Sequence, residues 1–292
     1  SIIASGLAFA VSILLLQQVM TSGVISYELG GWQAPWGIEY RIDKLNAFLL
    51  LIISGISTVV LFAAQTSLEK EIPKDKHIYF YVLYLLSLTG MLGIVATGDA
   101  FNVFVFLEIS SLSAYALIGM GNKRQALWAS YQYLIMGTIG ATFILIGIGL
   151  MYQMTGTLNM HDLSQRLPEV EQSRTVLAAF AFVIVGVCLK LAMFPLHLWL
   201  PNAYTYAPSI VTAFFAATAT KVAVYLLIRF TFSVFGFSFS FTHIPLQTIF
   251  MALGLVGIFV ASTSAIYQNN VKQLFAYSSI AQIGYMIVGF SL

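Results

Sequence analysis

FNVFVFLEISSLSAYALIGMG, residues 101–121, decides the fold class. The stretch is long enough to cross a bilayer, which takes about 20 apolar residues. Its one charge, Glu108, sits near the middle. An ionised carboxylate at that depth costs about 2.5–3.5 kcal/mol on insertion scales, so its retention needs a reason. The rest of the chain has the same character. Of 292 residues, 59% are hydrophobic and only 8% charged, and the mean hydropathy is +0.89. Soluble domains carry about 25% charged residues. A chain this poor in charge cannot cover a water-facing surface, and it reads as an integral membrane protein. A net charge of +2 without a basic cluster argues against nucleic acid as a partner. The single Cys188 excludes a disulfide framework and a multi-cysteine metal site.

Working outward from 101–121, apolar runs recur at 2–20, 45–67, 78–98, 127–153, 176–200, 209–230, 246–267 and 273–292, making about nine spans in all. They are too long for transmembrane strands, so the expected fold is an all-α polytopic bundle forming one transmembrane domain over 1–292. Both chain ends fall inside apolar runs, so the reading expects a piece of a longer protein. Residues 21–44 mix glycine, aromatics and alternation, which suggests a short hairpin at the membrane interface. Residues 230–245 alternate aromatic and small residues, and a second hairpin-like segment is expected there. Leu158, Leu163 and Leu167 in the polar stretch 155–174 suit one short amphipathic surface helix. Lys70, Lys74, Lys76, Lys123, Arg124 and Lys272 gather in short connections, which points 68–77, 121–126 and 267–272 to the cytoplasm.

Charges deep in spans are functional candidates by default. Glu108, Lys190 and Lys221 lie roughly 10, 21 and 18 Å into their helices at a rise of about 1.5 Å per residue. All three fall in the middle half of a hydrocarbon core about 30 Å thick. A carboxylate and two amines at similar depth can offset one another's desolvation and exchange protons where water reaches them. Pro195 lacks an amide proton, so the helix carrying Lys190 should break between about Lys190 and Trp199. Unwound backbone would let water approach the lysine. His197 follows, and histidine titrates near neutrality. His197 and Lys272 are therefore secondary relay candidates. Each has a plainer alternative: Glu108 as a structural pair, Pro195 as a packing kink, His197 as an interfacial hydrogen bonder, and Lys272 and Arg229 as snorkelling cations. Ser110, Ser111, Ser113, Tyr115, Ser130, Tyr131, Gln132, Thr212, Thr218 and Thr220 could order water or simply bind helices together. The four histidines, His77, His161, His197 and His243, are scattered, and no glycine-rich phosphate loop stands outside apolar context. Neither a cofactor nor a metal is expected.

Three segments, FLEISSLSAYALIG, KLAMFPLHLWLPNAYTYAPSIVTAFFAATATKVAVYLLIRF and NNVKQLFAYSSIAQIGYM, resemble the antiporter-like membrane subunits shared by respiratory complex I and Mrp-type cation/proton antiporters. GDAFNVFVFLE and YELGGWQAPWGIEYRIDKL look most like the D-type branch of the Mrp subunits, with hydrogenase subunits close behind. The resemblance implies part of a fourteen-helix fold with two inverted five-helix repeats. Residues 101–120 would be the family's fifth helix, and the first and last four helices would be missing. It implies that Glu108 pairs with Lys190 and modulates its proton affinity, and that Lys190 passes protons towards Lys221. The family's ionisable residue on the twelfth helix has no counterpart here. Asn202 stands where many relatives carry aspartate and is assigned no role.

The resulting expectation is a proton-translocating subunit of a multisubunit Na+/H+ antiporter in a prokaryotic plasma membrane. Its implied partners are other membrane subunits, lipid, protons and Na+. The alternatives are a pumping subunit of a complex I-type NADH-quinone oxidoreductase or membrane-bound hydrogenase, an unrelated secondary carrier with a midplane site, and a structural subunit. Whether an enzymatic activity belongs to the parent complex stays open.

Overall fold

Apolar runs this long have one stable form in lipid, because every backbone donor and acceptor must be satisfied within the segment. The computed structural model describes residues 1–292, the side chains of Thr242 and His243 excepted. His243 is thus outside the described side chains. In chain order the elements are α1 (Ile2–Ser22), β1 (Ile25–Glu28), β2 (Glu39–Ile42), α2 (Lys44–Glu71), α3 (His77–Ala96), α4 (Ala100–Gly119), α5 (Arg124–Thr155), α6 (Met160–Arg166), α7 (Arg174–Leu191), α8 (Trp199–Tyr206), α9 (Ser209–Ile228), α10 (Leu246–Ile266) and α11 (Val271–Ser291). Among the described residues nine helices are long and apolar enough to cross a membrane.

Short polar residues set the helix starts. Asp43 caps α2 in a reciprocal box with Asn46, Asp99 caps α4, Asn159 caps α6 and Ser173 caps α7. Each side-chain oxygen accepts from a first-turn amide that has no partner inside its helix. The bundle packs α1 on α2, α2 on α3 and α9, α3 on α4, α4 on α5, α5 on α7 and α8, α7 on α9, and α10 on α11. Where α5 meets α7, a Cβ placed on Gly186 would come within 2.6 Å of the Gly140 carbonyl. Only glycine permits so close a crossing, the usual device for holding helices together in lipid.

The expected hairpin at 21–44 is present: β1 and β2 pair antiparallel, with Ser26 opposite Arg41 and Tyr27 opposite Tyr40. The surface helix expected in 155–174 is α6, with Leu163 and Leu167 buried. The second hairpin is not present. Residues Arg229–Val234 and Phe239–His243 form π-helical turns around a left-handed Gly236. Alternation there serves packing instead of a strand. Phe235 and Phe239, one turn apart, both lie edge-on to Phe180, at 4.9 and 5.5 Å. Without a partner strand, wound backbone is the only way to satisfy its own polar groups.

The membrane crossing begun by α7 is interrupted. α7 ends at Leu191, Ala192 is left-handed at φ 58°, and a series of turns leads to α8. The break therefore starts three residues before Pro195. A proline at that distance suits a helix end, because it cannot continue the helix. The Trp199 indole donates to the Leu189 carbonyl at 3.1 Å, a second donor beside the Ala192 amide, and so ties the start of α8 to the end of α7.

Candidate functional site

α4 and α7 bring the first two sequence candidates together. Lys190 is the penultimate residue of α7 and is only 8% exposed. Its Nζ donates to the Ser111 hydroxyl at 2.7 Å. Ser111 stands three residues after Glu108 on α4, so the two share one face of that helix. Glu108 is close enough for its charge to act on Lys190, yet the two form no direct ion pair. Glu108 is half-buried, and its Oε1 has no hydrogen-bond partner. Tyr115, four residues beyond Ser111, has a buried hydroxyl that lies beside Ser111 and occupies the space left by the missing side chain of Gly137.

A cavity of about 40 Å³ adjoins Lys190. A water needs roughly 10–15 Å³ measured this way, so the space suits about three or four. Ser87, Ser110, Ser111 and Thr220 supply hydroxyls to its wall, and Tyr133 and Trp199 supply aromatic faces. Those two rings stack at 4.1 Å. The Thr220 hydroxyl is buried and unpartnered. One wall is thus α8, which begins where the break ends, so the interruption directly shapes the space around Lys190.

Lys221 is not part of that wall. It is half-buried, and its Nζ donates to the Ala216 carbonyl on its own helix at 2.6 Å. His197 lies within the break, 6% exposed, stacked on Phe194 at 5.4 Å, with Nδ1 unpartnered. Lys272 reaches the Ala207 carbonyl at 3.0 Å. Beside it, Glu71 accepts from the Ser209 amide at 2.6 Å, closing the start of α9. Asn202 donates to Gln132 at 2.8 Å and ties α8 to α5. Arg229, read as a snorkelling cation, instead pairs with Asp43 at 2.7 Å and lies over the Tyr225 ring.

Sequence reading missed a second polar assembly, at the end of the bundle that carries the hairpin. Glu39, 4% exposed, accepts from Ser26 at 2.7 Å and from Asn159 at 2.8 Å, with Arg41 at 3.5 Å. Asn46 donates to the carbonyls of Arg41 and Val95. Burial raises the carboxyl pKa of Asp43, but its bonds to Arg229 and to the Asn46 and Leu45 amides outweigh that and hold it below the usual range. Burial pushes Asp99 up against the opposing pull of the Asn102 and Phe101 amides. No motif marks the assembly, because the bonds that join its parts, Asn159 to Glu39, Arg229 to Asp43 and Asn46 to Val95, link residues far apart in sequence.

The geometry has counterparts among known proteins. Residues 97–292 match the family described as NADH:quinone oxidoreductase/Mrp antiporter, transmembrane. The chain is 43% identical to the N subunit of the NADH-quinone oxidoreductase of Desulforudis audaxviator, over 91% of this chain and 52% of that protein. It is 33% identical to the D subunit of the Na+/H+ antiporter of Bacillus subtilis, over 98% of this chain and 57% of that one. It spans about half the length of these relatives. A chain of the membrane-bound sulfane sulfur reductase, an archaeal respiratory membrane complex, superposes with a TM-score of 0.90 at 34% identity, over 100% of this chain and 58% of that one. A chain of the Mrp complex from Dietzia has the same fold, with a TM-score of 0.87 at 24% identity over 99% of this chain and 53% of its own. This multi-pass membrane chain belongs to the proton-antiporter membrane-subunit family shared by NADH:quinone oxidoreductases and Mrp antiporters.

Proposed function

We propose that this chain moves protons across a prokaryotic plasma membrane as the antiporter-like subunit of a multisubunit complex, using Glu108, Lys190 and Lys221. One observation carries the reading. Lys190 is a nearly buried amine at membrane-interior depth that rests on a hydroxyl, faces a small, largely apolar cavity with serine and threonine hydroxyls in its wall, and feels a carboxylate one helical turn from that hydroxyl. A charge kept only for architecture is expected in direct contact with its counterion, because an unpaired buried charge is costly. An amine held just off its counterion can change partner, and with it its hold on a proton.

In this reading water enters the space beside the break and reaches Lys190. A proton then crosses towards α9 along the hydroxyls of Ser87, Ser110 and Thr220. Lys221 is the next acceptor, reached once it leaves the Ala216 carbonyl. Other membrane subunits are the partners, as the neighbouring folds in multisubunit assemblies suggest.

The test is pH-gradient formation or dissipation in vesicles carrying the full-length protein in its complex. Lys190→Arg and Lys221→Arg keep the charge but cannot release the proton. Each should assemble and lower transport by roughly a hundredfold. Lys221→His should keep part of the activity, because histidine titrates near neutrality. Wild-type rates in both arginine variants would leave the buried charges as packing devices. Two parents remain for the same module. The relationship to the antiporter's D subunit over 98% of the chain supports Na+/H+ exchange. The 43% identity to the oxidoreductase's N subunit favours a redox-driven pump. Na+-dependent dissipation of a pH gradient selects the first, and proton uptake driven by quinone reduction selects the second.

A further inference from the structure

Lys190 has two possible acceptors one turn apart on α4, and it occupies the neutral one. We propose that Ser111 is a docking station for the Lys190 side chain that competes with Glu108, so that Lys190 exchanges between hydroxyl and carboxylate as it takes up and releases its proton. This rests on the relay reading above and adds Ser111 to it as a positioning residue.

The chemistry of the two acceptors differs. A carboxylate can only accept, so it holds an ammonium through charge and hydrogen bond together, but a neutral amine only through a weaker N–H bond, and it leaves the amine lone pair unsatisfied. A serine hydroxyl accepts from an ammonium and donates to an amine. Ser111 can therefore keep Lys190 in place in both protonation states, whereas Glu108 holds the charged one far more strongly than the neutral one. The lysine stem is flexible, and residues three apart on a helix have Cβ atoms about 5–6 Å apart, a distance a swing of Nζ can cover. Both ends of that swing are available: the Ser111 bond is made at 2.7 Å, and the Glu108 Oε1 is buried and unpartnered. The adjoining cavity of about 40 Å³ leaves room to move.

The release step is a single proton transfer. One N–H bond of Lys190 breaks, one O–H bond forms on a cavity water, and the positive charge leaves with that water. The Ser111 O–H then turns to donate to the neutral amine. The ionisable groups around this point are Glu108 and Tyr115 from α4, Tyr133 from α5 and Tyr204 from α8, which couples to Tyr133. On α7 itself Cys188 is turned to Met193, and on α9 Lys221 is turned to Ala216. Among the described residues, Glu108 is thus the one acidic group whose charge acts on Lys190.

The experiment measures proton transport against pH for Ser111→Ala in the assembled complex. Without the hydroxyl, Lys190 rests against Glu108, and a closer carboxylate favours the charged amine. The rate at neutral pH should fall roughly fivefold, the worth of one hydrogen bond, and the pH profile should move upward. Ser111→Thr should return the profile to its original position. Ser111→Cys, close in volume but a weak acceptor, should shift it as alanine does, and it serves if alanine lowers subunit levels. A slower rate with an unmoved profile means that Ser111 only packs, and it overturns the proposal, as does an unchanged rate. Glu108→Gln, run alongside, separates the two readings. If it transports at the wild-type rate, the relay itself fails. If it is inactive while Ser111→Ala leaves the profile in place, only the docking station fails.

Discussion

The hairpin end of the molecule and its interior treat charge in opposite ways. The ion pairs Glu39–Arg41, Asp162–Arg166 and Asp43–Arg229 lie together at the hairpin end. There Glu39 is surrounded by donors, and Arg229 has a carboxylate, a tyrosine hydroxyl and an aromatic face. In the interior, where an unpaired charge costs more, Lys190 sits on serine and one Glu108 oxygen has no partner. The hairpin end fastens β1–β2, the α3–α4 turn, α6 and the end of α9 into one piece. The interior leaves Lys190 and Glu108 without a direct ion pair, the lysine bonded instead to a hydroxyl one turn along α4 from the carboxylate. A fully bonded charge fixes geometry, and a charge with an open alternative can change it.

The sharpest break of this contrast is Glu108→Gln. It should cut transport roughly a hundredfold while leaving thermal stability in detergent unchanged or slightly higher, because an amide is cheaper to bury than an unpaired carboxylate. A fall in stability comparable to that of a broken buried pair would put Glu108 in the same class as Glu39. Asn159→Ala probes the other region. It removes a donor to Glu39 and the cap of α6, and should cost about 2–4 kcal/mol in unfolding measurements. Transport per assembled complex should hardly change. A selective transport defect at full stability would mean that the hairpin end also takes part in proton movement.

Two smaller effects sharpen the picture through pH. The Asp43 carboxyl is held below its ordinary range by Arg229 and two amides despite burial. Its contribution is present above the unfolded value of about 3.9 and is lost as pH falls through the lower folded value. Acid should therefore loosen the hairpin end, and Asp43→Asn should flatten that acid dependence. Asp99 has the opposite sign. Burial raises its folded value, so stability is greatest in acid and declines as pH rises through that value. Asparagine caps helices as well as aspartate does. Asp99→Asn should accordingly raise stability at neutral pH, by up to about 1 kcal/mol, and change nothing in acid. Equal gains at both pH values would rule out desolvation of the carboxylate as the cause.

Much of the fold was legible because lipid leaves few choices. The nine spans, the hairpin at 21–44, the surface helix and the interruption near Pro195 each have a local signal. The segment 230–245 misled because aromatic–small alternation looks the same whether it faces a sheet partner or lines two faces of a wound turn. For the site, the depths of Glu108, Lys190 and Lys221 could be counted along their helices, but not the directions they face. Lys221 shares the depth of Lys190 yet turns to its own backbone. Arg229 meets a partner 186 residues away, Asn159 one 120 away and Lys190 one 79 away.

The sequence by itself determined how many times the chain crosses the membrane and how deep each charge sits. Both follow from counting residues at a fixed rise against a bilayer of fixed thickness. Only the tertiary structure decided that Lys190 rests on Ser111, that Glu108 keeps an open oxygen, and that Arg229 closes on Asp43. A helix that is apolar all round carries no signal for which side faces its neighbours. In lipid no hydrophobic force turns one face inward. The rotation of α4 and α7 about their axes, and hence the partner each charge meets, is set by packing such as the glycine crossing of α5 and α7, which only the assembled bundle contains.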